Sequence, residues 1–302
     1  SFVNLTTLYC FSNDLTELDL TQNVSLIDLW IGQNDLTEID LSQNVNLVNF
    51  DCGVSLISNF DFTHNLTLVS IYIYFNNVVT SLDVSLNQAL EELNYSNGVL
   101  TNLITQNPNL RSLVCTSNQL ETIDISQNPN LEYLDLSDNS LTELDVTQNP
   151  NLEELFIPFN SLNAIDISQN PNLSWLSCSY NEIVTLDLSL SPNLFYLNCT
   201  YNNLTELDFT NNPSINTVSL EHNLITDLDL SGNPMLYSLW FNDNQLVSLN
   251  VQNGNNAALS LLFTFANPSL TCIQVDDPIA ANNYPSWAKD ITAVYSLDCA
   301  LG

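Results

Sequence analysis

The sequence has 302 residues, of which 34 are acidic, while Arg111 and Lys289 alone carry a fixed positive charge, so the formal net charge is −32. Such a chain repels phosphate backbones and anionic membrane surfaces, which argues against a nucleic-acid partner. No apolar run reaches the roughly 18 residues needed for a membrane-spanning helix, so we expect no membrane insertion.

A unit of 21 residues is repeated about twelve times, and residues 131–151 represent it. Leu134 and Leu136 alternate with polar neighbours, which is the spacing of a strand, and the second half of the unit echoes the first. An Asn closes each half, as expected at a turn. One unit is therefore predicted to be a flattened coil of strand, turn, strand and turn, which buries its apolar side only by stacking on the next. The units begin at Leu5, Leu26, Leu47, Leu68, Leu90, Leu110, Leu131, Leu152, Leu173, Leu194, Ile215 and Leu236.

Three segments follow from this pattern. Residues 1–4 are predicted to be a minimal N-terminal edge: either an N-terminal cap was removed, or Phe2 and Val3 cover the first coil. Residues 5–258 are predicted to form the solenoid, and residues 259–302 a C-terminal cap, because the end of a solenoid exposes an apolar face. The unit from Leu68 is one residue longer and the unit from Leu90 one shorter, which predicts a bend or bulge within residues 76–108.

The motif L-x-x-L-x-L-x-x-N-x-L resembles the leucine-rich-repeat signature, in its short bacterial class of 21 residues. Its Cys-containing units resemble the cysteine ladder of internalin-type adhesins, and the tail NPSLTCIQVDD is similar to the end of repeat arrays in secreted surface proteins of Bacteroidetes. The resemblance implies an α/β-type repeat solenoid of essentially all-β coils: a right-handed superhelix with a parallel sheet on its concave face, used for binding without catalysis. The ladder residues are Cys10, Cys52, Cys115, Cys178 and Cys199.

These five ladder cysteines occupy an inward position and are predicted to be free, buried thiols. Cys178 and Cys199 fall in successive coils, where a disulfide between in-register parallel strands has poor geometry. Cys272 and Cys299 flank the predicted cap, where a crosslink would help most, so we predict a disulfide between them and an oxidising compartment.

Asp and Asn recur once or twice in each unit. The Asn columns are predicted to bond the turns of their own and the next coil. For the Asp column two interpretations stand: hydrogen bonds to Ser or Thr two residues later, or bound calcium at positions such as Asp124, Asp145, Asp166 and Asp187. The first is preferred, because a flat ladder offers few ligands per ion. We otherwise expect no metal, no cofactor and no catalytic residue, and therefore no enzyme.

Aromatic residues occupy outward positions of the first half-unit, where the repeats differ most. Exposed rings are costly unless they pack or bind something. We therefore predict a secreted or cell-surface bacterial module for recognition or adhesion, which binds a protein or glycan. Two alternatives remain: a structural spacer or self-assembling filament subunit, and an accessory carbohydrate-binding module of a larger secreted protein. The predicted ligand-binding residues are Tyr133, Phe156, Phe159, Trp175, Tyr180, Tyr196, Tyr201 and Trp240.

Overall fold

A computed structural model describes residues 3–299, so the predicted cover by Phe2 lies outside the described residues. The chain divides into two compact units, residues 1–152 (unit 1) and 153–302 (unit 2). Each is a stack of flattened coils joined by parallel strands. No helix among residues 3–299 has the length and apolarity to cross a bilayer.

Unit 1 contains a parallel first sheet, with one strand from each coil in the order β1-β2-β3-β4-β6-β8-β9, and a second pair, β5-β7. Its strands are β1 Thr7–Tyr9, β2 Asp28–Trp30, β3 Asn49–Gly53, β4 Ser70–Tyr74, β5 Ser81–Asp83, β6 Glu92–Ser96, β7 Asn102–Ile104, β8 Ser112–Val114 and β9 Tyr133–Asp135.

Unit 2 repeats this plan with the strands β10 Glu154–Phe156, β11 Trp175–Ser177, β12 Tyr196–Asn198, β13 Thr217–Ser219, β14 Asp227–Asp229, β15 Ser238–Trp240, β16 Ser248–Asn250, β17 Leu261–Phe263, β18 Cys272–Gln274, β19 Trp287–Ala288 and β20 Val294–Ser296. Its first sheet has the order β10-β11-β12-β13-β15-β17-β19 and its second sheet β14-β16-β18-β20, all parallel. A 3-10 turn at Asn256–Ala258 and the four-residue helix α1, Pro278–Ala281, complete it.

The predicted alternation is confirmed in the representative coil. Leu134 and Leu136 are fully buried, as are Leu141 and Val146 of the second half. The predicted second strand is not a regular strand in this coil: residues 141–146 are irregular, and in the described chain regular second strands occur at β5, β7, β14, β16, β18 and β20. Burial of the apolar side chains therefore does not require a second ladder in every coil.

Of the predicted bend or bulge near residues 76–108, a bulge in the ladder between β4 and β6 is wrong. The pairing of β4 with β6 runs in register from Ser70↔Glu92 to Tyr74↔Ser96, so the inserted residue lies outside the ladder, in the loop after β4. There Tyr95 is fully buried, and its hydroxyl donates to Asn76 Oδ1 and to the Val79 carbonyl, both at 3.3 Å. The extra residue in the loop after β4 therefore occurs beside a large buried side chain, Tyr95, from the next coil. The pairing of β4 with β6 is not disrupted.

The C-terminal segment continues the coil pattern of unit 2. Strands β17 and β19 extend the first sheet, and β18 and β20 extend the second. Trp287 is buried and its indole N–H donates to the Leu259 carbonyl at 2.9 Å. Cys272 on β18 forms a disulfide with Cys299, with Cα atoms 5.7 Å apart. The boundary of a separate cap at residue 259 stays a prediction.

Buried Asn side chains connect successive coils. Asn65 is fully buried, and its Nδ2 donates to the carbonyls of Leu41 (3.0 Å) and Asn44 (2.9 Å) in the preceding coil. Asn139 bonds both coils, since its Nδ2 donates to Cys115 O and Leu136 O while its Oδ1 accepts the Leu120 N–H at 3.1 Å. The Asn columns therefore fix the offset between neighbouring coils, as predicted, although they reach the preceding coil and not the following one.

We predict that Asn65→Ala lowers the free energy of unfolding by about 2 kcal/mol, because two buried carbonyls lose a donor. The control is Asn46→Ala, which removes an exposed bond to Val24 O (3.0 Å) and is expected to change stability by less than about 0.5 kcal/mol. Urea unfolding followed by circular dichroism measures both. Equal losses for the two variants would contradict a structural role for the buried column.

Removing the disulfide is predicted to destabilise unit 2. In the chain-entropy model, a bridge across 27 residues contributes about 3 to 4 kcal/mol. We expect the Cys272→Ser variant to unfold at lower temperature and to lose its dependence on reductant, while the ladder variant Cys199→Ala keeps that dependence. A melting temperature of the wild-type protein that is unchanged by reductant would argue against the disulfide.

Candidate recognition surface

In unit 2, four aromatic rings stack along one turn of successive coils; we call them the turn file. Ring centroids are 4.3 Å apart for Phe159 and Tyr180, 4.5 Å for Tyr180 and Tyr201, and 4.0 Å for Tyr201 and His222. Planes differ by 20° or less, and Phe159, Tyr180 and Tyr201 remain 51%, 42% and 41% exposed. These rings form a continuous, preformed apolar surface.

The turn file lies outside the strands in which the sequence placed it. Strand β10 ends at Phe156, and Phe159 follows in a left-handed turn at φ 55°. The equivalent Tyr180, Tyr201 and His222 have φ of 53° to 54°. Bulky side chains in this region cost about 1–2 kcal/mol each, and a ring stack returns about 0.5–1.5 kcal/mol. Asn would suit the backbone better, so aromatic residues here point to a role beyond stability.

A second pair of rings lies on the strands themselves. Trp175 and Tyr196 are register partners on β11 and β12, and their rings stack at 4.7 Å with an angle of 17°. On β11, Ser177 lies two residues beyond Trp175 and is buried, as is Ser179 further along the same coil. In the β11 coil, Ser177 and Ser179 therefore lie between Trp175 and Tyr180 in sequence.

The remaining predicted site residues lie on other strands of the first sheets. Trp240 stacks on Phe263 at 4.4 Å, two coils further along unit 2, and its indole N–H donates to Ser238 Oγ at 2.8 Å. Phe156 lies half-buried on β10. Tyr133 lies on β9 of unit 1, half-buried. The structure thus assembles Phe159, Tyr180 and Tyr201 in one group and Trp175 and Tyr196 in another.

Sequence reasoning missed two members of the stacks. His222 extends the turn file and also lies 3.8 Å from a carboxylate oxygen of Asp243, and Phe263 pairs with Trp240. The signal for His222 was present, since it lies one period of 21 residues after Tyr201.

The Asp column forms local turns. Asp145 illustrates it: its Oδ1 accepts the Thr147 hydroxyl at 2.7 Å and the Thr147 N–H at 2.8 Å, and these two bonds lower the pKa of the carboxyl. The same pair of causes lowers the pKa of Asp19, Asp61 and Asp208. The hydrogen-bond interpretation is therefore the one that the contacts support. Among residues 3–299, no group of three or more His, Cys, Asp or Glu is arranged to hold a metal ion.

The five ladder cysteines are free, as predicted, but only Cys52, Cys115, Cys178 and Cys199 are buried, since Cys10 in the first coil is half-buried. Cys178 and Cys199 are fully buried with their sulfurs 3.0 Å apart. Burial raises the pKa of Cys52 and of Cys115 to about 12. Thiolate chemistry at neutral pH is thereby suppressed, and these side chains serve the core.

Comparison with known proteins gives structural matches. No protein-family model matches the sequence, and no curated protein gives a significant match. The functional domain of InlJ from Listeria monocytogenes, which includes a cysteine ladder, is 32% identical with a TM-score of 0.83 over 94% of this chain; the chain spans 62% of that structure.

Two further structures share the fold at lower identity. The internalin InlF of Listeria monocytogenes is 19% identical, with a TM-score of 0.62 over 80% of this chain and 82% of its own. The plant peptide hormone receptor RGFR1, solved in complex with RGF2, is 17% identical, with a TM-score of 0.69 over 92% of this chain and 53% of its own. The stacked parallel coils, the Asn columns and these matches together show that this chain is a leucine-rich-repeat solenoid, similar to bacterial leucine-rich-repeat proteins that include a cysteine-ladder internalin.

Proposed function

We propose that the protein is a non-enzymatic recognition module that binds a protein partner through the aromatic side chains beside its first sheet in unit 2. The turn file carries this proposal. Its rings are exposed, rigidly stacked and held at backbone positions that disfavour them. Tyr and Trp supply large contact areas with little loss of side-chain entropy on binding, which suits a preformed recognition surface.

The charge favours a partner with basic groups. With 34 acidic residues against two fixed cations, long-range attraction would steer a basic protein surface toward the chain, and the aromatic rings would supply the short-range contact. The structural neighbours support the use of this fold for binding, since the plant receptor was solved with its peptide hormone.

A glycan is the second candidate ligand. The stacked Trp175 and Tyr196 offer flat ring faces, and the half-buried Asn198 on β12 offers a polar group beside them. Apolar platforms with adjacent hydrogen-bonding groups suit the faces and hydroxyls of sugar rings. Binding to glycans that depends on Trp175 but not on Tyr180 would favour this candidate.

We further propose that the module acts outside the cell or at its surface. The disulfide between Cys272 and Cys299 supports an oxidising compartment, because such bonds do not persist in a reducing cytosol. The excess of acidic side chains is compatible with solubility in an ionic medium.

The test compares a turn-file variant with a matched control. Tyr180→Asn with Tyr201→Asn removes two rings while Asn tolerates the left-handed turn. The control, Leu190→Asn with Met235→Asn, makes two apolar-to-Asn changes elsewhere in unit 2 at side chains that are 53% and 56% exposed, somewhat more than the two Tyr residues. Fluorescent wild type and variants are screened on printed arrays of extracellular protein domains and of glycans. We expect protein spots that the control retains and that the turn-file variant binds at least about tenfold more weakly.

Two outcomes would contradict the proposal: array binding that is equal in both variants, or no binding together with self-association through the rings. Light scattering after size-exclusion chromatography reports the second. A wild-type oligomer that the turn-file variant breaks into monomers, while the control does not, would support the structural, self-assembling alternative.

A further inference from the structure

A second group of aromatic residues surrounds a carboxylate on the first sheet of unit 1. Trp30, Asp51 and Tyr72 occupy the same outward position on three successive strands, with Trp30↔Asp51 and Asp51↔Tyr72 as register partners. Tyr9 stacks on Trp30 from the other side at 4.0 Å. Strands two apart are separated by about 10 Å, so the short Asp51 leaves a gap between two large side chains.

The next outward residues along these coils shape the gap above Asp51. At the next outward position the residues are Gly32, Gly53 and Tyr74. The Tyr74 ring lies across Gly53, where an added Cβ would be 1.8 Å from Tyr74 Cε2, and the Tyr74 hydroxyl donates to Asp51 Oδ1 at 3.3 Å. Two open depressions, of about 370 and 410 Å³, meet at Trp30 and Asp51. We call the Trp30, Asp51, Tyr72, Tyr74 and Glu92 group the Asp51 pocket.

The Asp51 pocket contains more negative than positive charge. Burial raises the pKa of Asp51, and the bonds from Tyr74 and the Gly53 N–H only partly offset this. Tyr72 donates to Glu92, and burial together with that carboxylate raises the Tyr72 pKa to about 12. The ion pairs found among residues 3–299 are Arg111–Glu132 and His222–Asp243, so neither involves this pocket. Two carboxylates therefore face the depressions without a cation.

We propose that the Asp51 pocket binds the guanidinium group of an arginine side chain on a protein partner. A guanidinium is planar, weakly hydrated and attracted to aromatic faces, and it bonds carboxylates with two parallel donors. The exposed Trp30 ring and the Asp51 carboxylate are neighbours across one strand spacing, so a single guanidinium reaches both. This proposal rests on the proposed function, because it specifies a chemical group of the protein partner. The residues that carry it are separate from the turn file.

A second aspartate shows that the arrangement is not a general consequence of the repeat. Asp135 occupies the same outward position on β9 and is also partly buried, which raises its pKa. Its carboxylate accepts both the N–H and the hydroxyl of Ser137 within its own coil, and its register partner on β8 is Val114. Asp135 thus has its own donors and no aromatic neighbour on that strand, which makes it a matched control of equal charge.

The experiment titrates the full chain with an N-acetylated, C-amidated Gly-Gly-Arg-Gly-Gly peptide, using ligand-observed NMR at about 150 mM salt to suppress long-range attraction. We expect Asp51→Asn to weaken binding by at least about tenfold and Asp135→Asn by less than about twofold. Trp30→Leu is expected to weaken it about three- to thirtyfold. The peptide with citrulline, a neutral isostere of arginine, is expected not to bind.

Folding is controlled by thermal melts. The raised pKa of Asp51 means that its ionised form is disfavoured by folding, so stability is lost as pH rises through that pKa. At neutral pH Asp51→Asn is therefore expected to melt no lower than the wild type, and the loss of binding cannot be attributed to unfolding.

Three results would overturn the inference: equal weakening by Asp51→Asn and Asp135→Asn, equal binding of the citrulline peptide, or Asp51-dependent binding of tetramethylammonium without binding of the arginine peptide. The last would assign the pocket to a free organic cation. Because the array test depends on Tyr180 and Tyr201, it can succeed while this titration fails, and the reverse also holds.

Discussion

The fold depends on one repeated interaction, the bond from a buried Asn amide to the backbone carbonyls of a neighbouring coil. Most strands have only three residues, and several second halves in the described chain have isolated backbone bonds, such as Ser140 N–H to Leu120 O, in place of a regular strand. Asn65 and its equivalents supply donors at the turns, where backbone carbonyls would otherwise be buried without them. The cost is visible too, since Oδ1 of Asn44, Asn65, Asn107 and Asn212 is buried without a partner. The Asn side chains therefore fix the register at a cost in free energy, because their amide oxygens are buried without a hydrogen-bond donor.

A fixed register has a direct functional consequence. When the register places equivalent residues of successive coils side by side, their side chains meet. Phe159, Tyr180 and Tyr201 stack because of this register, although their left-handed backbone disfavours them individually. The same register places Asp51 between Trp30 and Tyr72. Recognition surfaces in such a fold are assembled along the stack, one residue from each coil.

The acidic residues divide into two classes by their contacts. Those of the Asp column, such as Asp145, are exposed and receive two hydrogen bonds from their own turn, which lower the pKa of the carboxyl. Asp51 is partly buried, has a raised pKa, and receives a long bond from Tyr74. A net charge of −32 does not distinguish these environments, because the distinction lies in burial and in the donors that surround each carboxylate.

The sequence by itself determined the coil, its period, the buried faces and the free ladder thiols, because all of these follow from spacing repeated along the chain. It also determined the Cys272–Cys299 pair, because these two cysteines lie outside the ladder and flank the C-terminal segment. It also indicated that the outward aromatic residues matter, and it found Trp175, Tyr180, Tyr196 and Tyr201. Only the tertiary structure decided which rings meet, that Phe159 lies in a turn beyond its strand, that His222 joins the stack, and that the insertion near Asn76 is absorbed by Tyr95 without a bulge. It alone revealed the Asp51 pocket, because a gap between neighbours depends on the size of three side chains from three coils, and periodicity treats those coils as equivalent.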